Sequence, residues 1–241
     1  MALILLTNDD GYDALGFQSL YKALKNEFEV FAVVPRFQQS GASHSLTLRR
    51  PIRVEKLRDK FYTIDGTPTD CVLLAYHDLI KKDINLVVSG INHGPNMGSD
   101  VFYSGTVAAA LQGATLGIKS IAVSMKAREY NDFKNAVRYI RDLIKRVLDS
   151  NISRLILNVN IPAGKIKGEK ITRMGKRIYK DKVIRDSEKN DVMYSVIDGV
   201  LSYTVETDTD FKAVDEGYVS ITPLKLDLTD YQRMKQLQER F

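Results

Sequence analysis

Asp9 and Asp10 stand side by side in Thr7-Asn8-Asp9-Asp10-Gly11, directly after an apolar run that starts at Leu3. Two carboxylates leaving one hydrophobic strand repel each other, and burying them is costly unless a cation or strong donors offset the charge. A metal ion is the simplest compensation. An Asx turn capping the next element is the plain alternative, because Asp-Gly is common turn chemistry. A second segment, Gln39-Ser40-Gly41-Ala42-Ser43-His44-Ser45, is small and rich in hydroxyls. Long loops in compact domains are usually functional or disordered, and these hydroxyls suit a hard cation or a phosphate as well as plain loop polarity. The third segment runs from Ser89 to Asp100 and continues into Tyr103-Ser104-Gly105-Thr106. Its glycines let the backbone approach a ligand, Asn92 and Asn96 offer neutral amides, and a helix opening at Gly105 and Thr106 presents amides suited to an anion. The spacing is neither GxxxxGK[ST] nor GxGxxG, so a nucleotide-triphosphate motor and a nicotinamide dehydrogenase both lose support.

The chain has three histidines. His44 and His93 lie in these loops and are candidates for proton transfer. His77, between Tyr76 and Asp78 in a helical pattern, reads as structural. Asp208-Thr209-Asp210 imitates a metal-binding DxD pair but reads as the cap of a short turn. Cys71 has no matched base and reads as a packed small hydrophobe.

Loops of this kind need a scaffold, and hydrophobic periodicity predicts one. Leu3 to Thr7, Phe28 to Val34, Leu86 to Val88 and Ile121 to Val123 are short apolar runs of the sort that form strands covered on both faces. Helical patterns lie between them, at Leu15 to Asn26, Asp70 to Ile80, Gly105 to Gly117 and, most clearly, Glu129 to Asp149. In the last, Phe133, Ala136, Val137, Ile140, Leu143, Ile144, Val147 and Leu148 form one stripe. Alternating strands and helices argue for an α/β fold of Rossmann-like type, a mostly parallel sheet with helices on both faces. After Pro162 the pattern changes. Met193 to Ile197 and Val200 to Val205 flank Asp198-Gly199, which predicts a β-hairpin turning there. Tyr218 to Thr222 is a further strand, and Thr229 to Glu239 a C-terminal helix. The chain is accordingly read as a single α/β domain over residues 1–241, whose 163–241 extension of hairpin and helix serves oligomerisation.

Composition fits this reading: 241 residues, 44% hydrophobic and 27% charged, are ordinary for a globular protein. The lone Cys71 allows no internal disulfide and indicates a reducing compartment. No apolar run reaches the roughly 18 residues of a membrane span, so the expected location is cytoplasmic, with no membrane partner. The net charge of +5 is uneven, since residues 163–190 hold ten Lys or Arg against four acids. An RNA-binding arm would interleave aromatic residues for stacking, yet only Tyr179 occurs there, so no stable nucleic-acid partner is expected. A nucleotide sensor that does not hydrolyse would use the same glycine-rich loop, but would have little use for two acids facing an anion.

Taken together and in order, TNDDG at 7–11, QSGAS at 39–43, GTPTDC at 66–71, SGINHGPNMGSD at 89–100, YSGTVAAA at 103–110 and GYVSITPL at 217–224 resemble the SurE family of survival-protein phosphatases. The resemblance implies a divalent-metal-dependent phosphatase acting on nucleoside monophosphates, a 5′- and also 3′-nucleotidase, with polyphosphate as a candidate further substrate. By motif match it puts the metal ligands on Asp9, Asp10, Ser40 and Asn92. The phosphate site falls on Asn96, Ser104, Gly105 and Thr106, with Asp9, Asp10 and Asn96 catalytic. It also implies a homodimer or homotetramer. Gln112 departs from the family, standing where an acidic residue is frequent, and the proton donor stays open. The oxygen donor set suits Mg²⁺ or Mn²⁺, with Ca²⁺ as a non-native occupant, rather than zinc.

Overall fold

The computed structural model describes residues 1–126, 133–189, 192–204 and 206–241. The chain opens with β1 (Leu3–Thr7), α1 (Leu15–Leu24) and β2 (Glu29–Pro35). A hairpin of β3 (Val54–Arg58) and β4 (Phe61–Ile64) follows, then α2 (Pro68–Leu74), which runs on into a π-helical turn at Ala75–Leu79. Next come β5 (Leu86–His93), a 3₁₀ turn at Gly98–Phe102, α3 (Gly105–Thr115), β6 (Ser120–Met125), α4 (Lys134–Asp149) and β7 (Ile156–Ile161). The last part holds β8 (Glu169–Ile171), β9 (Arg177–Lys189), β10 (Val192–Tyr203), α5 (Asp210–Asp215), β11 (Val219–Pro223) and α6 (Tyr231–Gln238).

Among the described residues, nine strands form one sheet in the order β3-β4-β2-β1-β5-β6-β7-β11-β8. From β4 to β7 every pairing is parallel, while β3 and β11 run antiparallel to β4 and β7. The alternation of β1 explains its complete burial. Ile4 and Leu6 enter the core under α1 and α4, and Leu3 and Leu5 enter the opposite core under α2 and α3. A strand covered on both faces must be apolar throughout, as the sequence indicated. The α4 stripe is also core, with Ala136, Ile140, Leu143, Ile144 and Val147 buried. Truncating one of these, as in Ile140→Ala, should cost about 2 to 5 kcal/mol. The expected start of that helix at Glu129 lies outside the described residues. No helix among the described residues is long and apolar enough to cross a membrane.

The predicted turn at Asp198-Gly199 is corrected by the structure. Asp198 and Gly199 lie inside β10, paired with Lys182 and Asp181 of β9 in a separate two-stranded sheet. The strands instead reverse between Lys189 and Val192. Local turn chemistry loses because pairing along the full lengths of β9 and β10 satisfies far more backbone groups than a short hairpin centred on residue 198 would. The resulting arm leaves apolar side chains in water, with Val183 72% and Ile197 81% exposed. Within the basic 163–190 stretch, Lys170, Arg173 and Arg177 form ion pairs with Glu216, Glu206 and Asp100.

Candidate active site

Strand order places the chemistry. From β1 the chain passes first to β2 on one side and later to β5 on the other, and ligands of open α/β sheets bind beyond the carboxyl ends of the strands at such a switch. Asp9 and Asp10 follow β1, and Asn92 and His93 end β5. Between these ends opens a cleft of about 700 Å³ lined by Asp9, Ser40, Asn92, Asn96 and Ser104. Asp10, Gly105 and Thr106 stand behind it. The loop residues named from sequence, separated by up to a hundred positions, therefore converge.

Asp9 is 4% exposed. Its carboxylate accepts hydrogen bonds from the Thr106 hydroxyl and, at 3.1 Å, from the Thr106 backbone N–H. Burial pushes the Asp9 carboxyl up to about 6; the Thr106 hydroxyl pulls against this and the neighbouring Asp10 adds to it. Burial also raises Asp10, opposed by the His93 N–H, which donates to its carboxylate at 3.0 Å. Among the described residues no Lys or Arg pairs with either acid. The α3 terminus expected to receive phosphate is thus partly engaged within the chain. The Thr106 amide serves Asp9, and the Val107 amide is capped by Ser104 Oγ at 3.1 Å. Gly105 is required for that closeness, because a Cβ there would lie 3.0 Å from the Asp9 Cβ and 3.1 Å from the Pro68 Cγ.

Asn92 gives its Nδ2 to the Gly94 carbonyl at 2.7 Å, which leaves Oδ1 as its donor atom for a cation. β5 carries one extra residue between Ser89 and Asn92, which pair with Ala122 and Ser124 of β6, so a bulge immediately precedes Asn92, as bulges often do beside a site. Among the described residues no three His, Cys, Asp or Glu side chains gather as a metal cluster. The donor set here is instead two acids with a hydroxyl and an amide oxygen. Asn8 Oδ1, next to Asp9, is a further buried oxygen without a hydrogen-bond partner. Hard oxygens around a pair of acids that no Lys or Arg among the described residues pairs, with the His93 ring nitrogen 3.9 Å from Asp10, fit a hard divalent cation.

Sequence reasoning missed the cradle of Asn96. Its backbone N–H donates to Asn160 Oδ1 at 2.8 Å, its carbonyl accepts from Asn158 and Asn160 Nδ2 at 2.8 and 3.0 Å, and its Nδ2 donates to Ser124 Oγ at 2.8 Å. The available signal was a pair of asparagines two apart in the apolar run of β7. Lys126, Arg177 and Tyr179 also line the cleft. Arg177 and Tyr179, from the foot of the arm, both bond to the Asp100 carboxylate. His93 packs edge-on against Phe133 with ring centroids 4.9 Å apart, and His44 Nε2 lies 3.0 Å from Gln112 Oε1. Cys71 is buried, and burial pushes its thiol up.

A profile of the family described as "Survival protein SurE" matches residues 4–181. The 5′-nucleotidase SurE of Aquifex aeolicus is 45% identical over 244 residues, covering 98% of this chain and 97% of that protein. The 5′-nucleotidase SurE of Idiomarina loihiensis is 44% identical over 238 residues, covering 95% and 94%. The crystal structure of the SurE protein from Aquifex aeolicus superposes with a TM-score of 0.88 at 43% identity, covering 99% of each chain.

Proposed function

This chain belongs to the SurE family, and from that membership we propose that it is a divalent-metal-dependent phosphatase hydrolysing nucleoside monophosphates to nucleoside and phosphate. The observation that carries the metal requirement is the pair of adjacent acids after β1, Asp9 buried and held up at about 6 and Asp10 half-buried, with no Lys or Arg among the described residues paired to either; the His93 ring nitrogen stands 3.9 Å from the Asp10 carboxylate. Asp9, Asp10, Ser40 and Asn92 would hold the ion. When bound, a divalent cation supplies a Lewis acid for the phosphoryl group and lowers the pKa of water.

The chain's own residues do the rest. Thr106 fixes Asp9 through two hydrogen bonds, so the carboxylate is oriented before substrate arrives. Asn96 keeps a second Nδ2 hydrogen beyond the one given to Ser124, and the Ser104 hydroxyl, which accepts from Val107, keeps its own hydrogen. Both can donate to phosphoryl oxygens, together with the Gly105 amide. Donors fixed in advance stabilise charge developing on the transferred group without reorganising during the reaction. Water attacks phosphorus, the ester P–O bond breaks, and the nucleoside departs as the alcohol.

The reading extends to 3′-nucleotides and polyphosphate as further substrates, to Mg²⁺ or Mn²⁺ as the ion, and to a cytoplasmic location, supported by the unpaired Cys71 thiol. It also makes the protein a single-domain chain that assembles as a homodimer or homotetramer through residues 163–241. Support for assembly comes from exposed apolar side chains on the arm and from α6, none of whose residues is buried. Phosphate release from a panel of 5′- and 3′-nucleotides and polyphosphate tests the substrate reading. Release confined to nucleoside triphosphates, or absent from every phosphomonoester with either metal, would overturn it.

A further inference from the structure

Asp208-Thr209-Asp210 does contain a cap: Thr209 Oγ1 accepts from the Lys212 N–H at 3.3 Å and begins α5. Asp210 does something else. It is fully buried, and its two oxygens collect backbone amides from three places in the chain. Oδ2 accepts from Gly98 at 2.7 Å, while Oδ1 accepts from Gly175 and from Phe211, each at 2.9 Å. Gly98 comes two residues after Asn96 and two before Asp100. Gly175 comes two residues before Arg177, which grips the Asp100 carboxylate.

The surroundings leave little slack. Gly98 has φ +54, and a Cβ there would lie 2.6 Å from the Gly175 carbonyl oxygen and 2.8 Å from the Phe211 ring. The Phe211 ring stacks on Tyr203 of β10 at 4.5 Å, and the Arg177 guanidinium of β9 lies 4.8 Å from it. Both strands of the arm are thereby tied to the segment that follows Asn96. The other end of that segment is held independently, by the Asn160 oxygen on the Asn96 amide.

We propose that Asp210 is a positioning residue, a buried carboxylate that locks the 96–100 segment to the foot of the arm and so fixes Asn96 and Asp100 in the cleft. Its catalytic consequence rests on the phosphatase reading; the clamp itself does not. A carboxylate is needed because all three partners are N–H donors. An asparagine of the same shape can face them with one oxygen, but its NH₂ must then oppose an N–H.

Amide hydrogen exchange on the full chain is the test, with Asp210→Asn compared to wild type and to Asp208→Asn, an exposed neighbour in the same sequence pattern. In wild type the Gly98 and Gly175 amides should be protected like those of β5, a measurement that needs no variant to fold. In Asp210→Asn, exchange across residues 94–100 should accelerate at least tenfold while residues 86–91 stay unchanged. Turnover measured well below the melting temperature should fall about 10- to 100-fold, as when a partner of an active-site ligand is lost. Asp208→Asn should match wild type in both. Unprotected Gly98 and Gly175 amides in wild type, or Asp210→Asn exchange equal to wild type, would overturn the clamp. So would a variant that only melts earlier, with turnover intact. A wild-type protein that hydrolyses no phosphomonoester would overturn the phosphatase reading instead, and the exchange result would still decide the clamp.

Discussion

Replacing Thr106 with valine removes one hydroxyl from Asp9 and almost nothing else. The side chain keeps its shape, and the Thr106 N–H still donates to Oδ2 at 3.1 Å. A hydrogen bond to a charged group is worth about 1.5 to 3 kcal/mol, which at 1.36 kcal/mol per pH unit raises the Asp9 pKa by about one to two units. Asp9 already titrates at about 6. At pH 7 its ionised fraction should therefore drop from about nine-tenths to between about a half and a tenth. A carboxylate must be deprotonated to ligate a cation, so apparent Mn²⁺ affinity at pH 7 should fall about two- to tenfold. The acid limb of the rate profile should move to higher pH by the same one to two units, and the deficit should close by about pH 9. Calorimetric titration with Mn²⁺ from pH 6 to 9, alongside the rate profile, measures both. A loss of affinity that does not change with pH, or no loss at all, would refute the link between Thr106, the Asp9 charge and the cation.

Other outcomes follow from the same geometry. Asp9 is raised from 3.8 to about 6; between those values the folded protein keeps a proton that the unfolded chain has released. Metal-free stability should consequently decline as pH rises through that window and stay lower above it. Asp9→Asn should flatten the decline in melting temperature against pH and should abolish metal-dependent turnover; a decline as steep as wild type would contradict the burial argument. Gly105→Val must push against Asp9 and Pro68, so it should cost about 1 to 3 kcal/mol of stability, read by denaturant titration, and weaken both cation and phosphate binding. Truncation after Leu224 removes a helix with no buried residue, so it should lower the mass seen by light scattering while leaving the nucleotide turnover of a folded subunit measurable. An unchanged mass would remove α6 from the interface.

Legibility in the sequence followed the range of the interactions. The strands and α4 were readable because a covered strand must be apolar and a packed helix must show its stripe. The site loops were readable because adjacent acids and glycine-rich turns are local chemistry. The Asn96 cradle was not, since Asn158 and Asn160 are polar interruptions whose partners lie more than sixty positions away. Asp210 was seen as a cap, although its decisive bond runs to Gly98, 112 positions earlier. The Asp198-Gly199 turn shows the converse, a strong local signal overruled by the long register between β9 and β10.

The central claim is that Asp9 and Asp10 hold a divalent cation that phosphate-ester hydrolysis requires. Chelator-stripped protein assayed with a nucleoside 5′-monophosphate, before and after titration with Mg²⁺ or Mn²⁺, tests it most directly when Asp10→Asn is run beside wild type. The expected result is no phosphate release in chelator, recovery in wild type as metal is added, and no recovery in Asp10→Asn at the same metal concentrations. Full activity in excess chelator, or equal metal dependence in the two proteins, would contradict it.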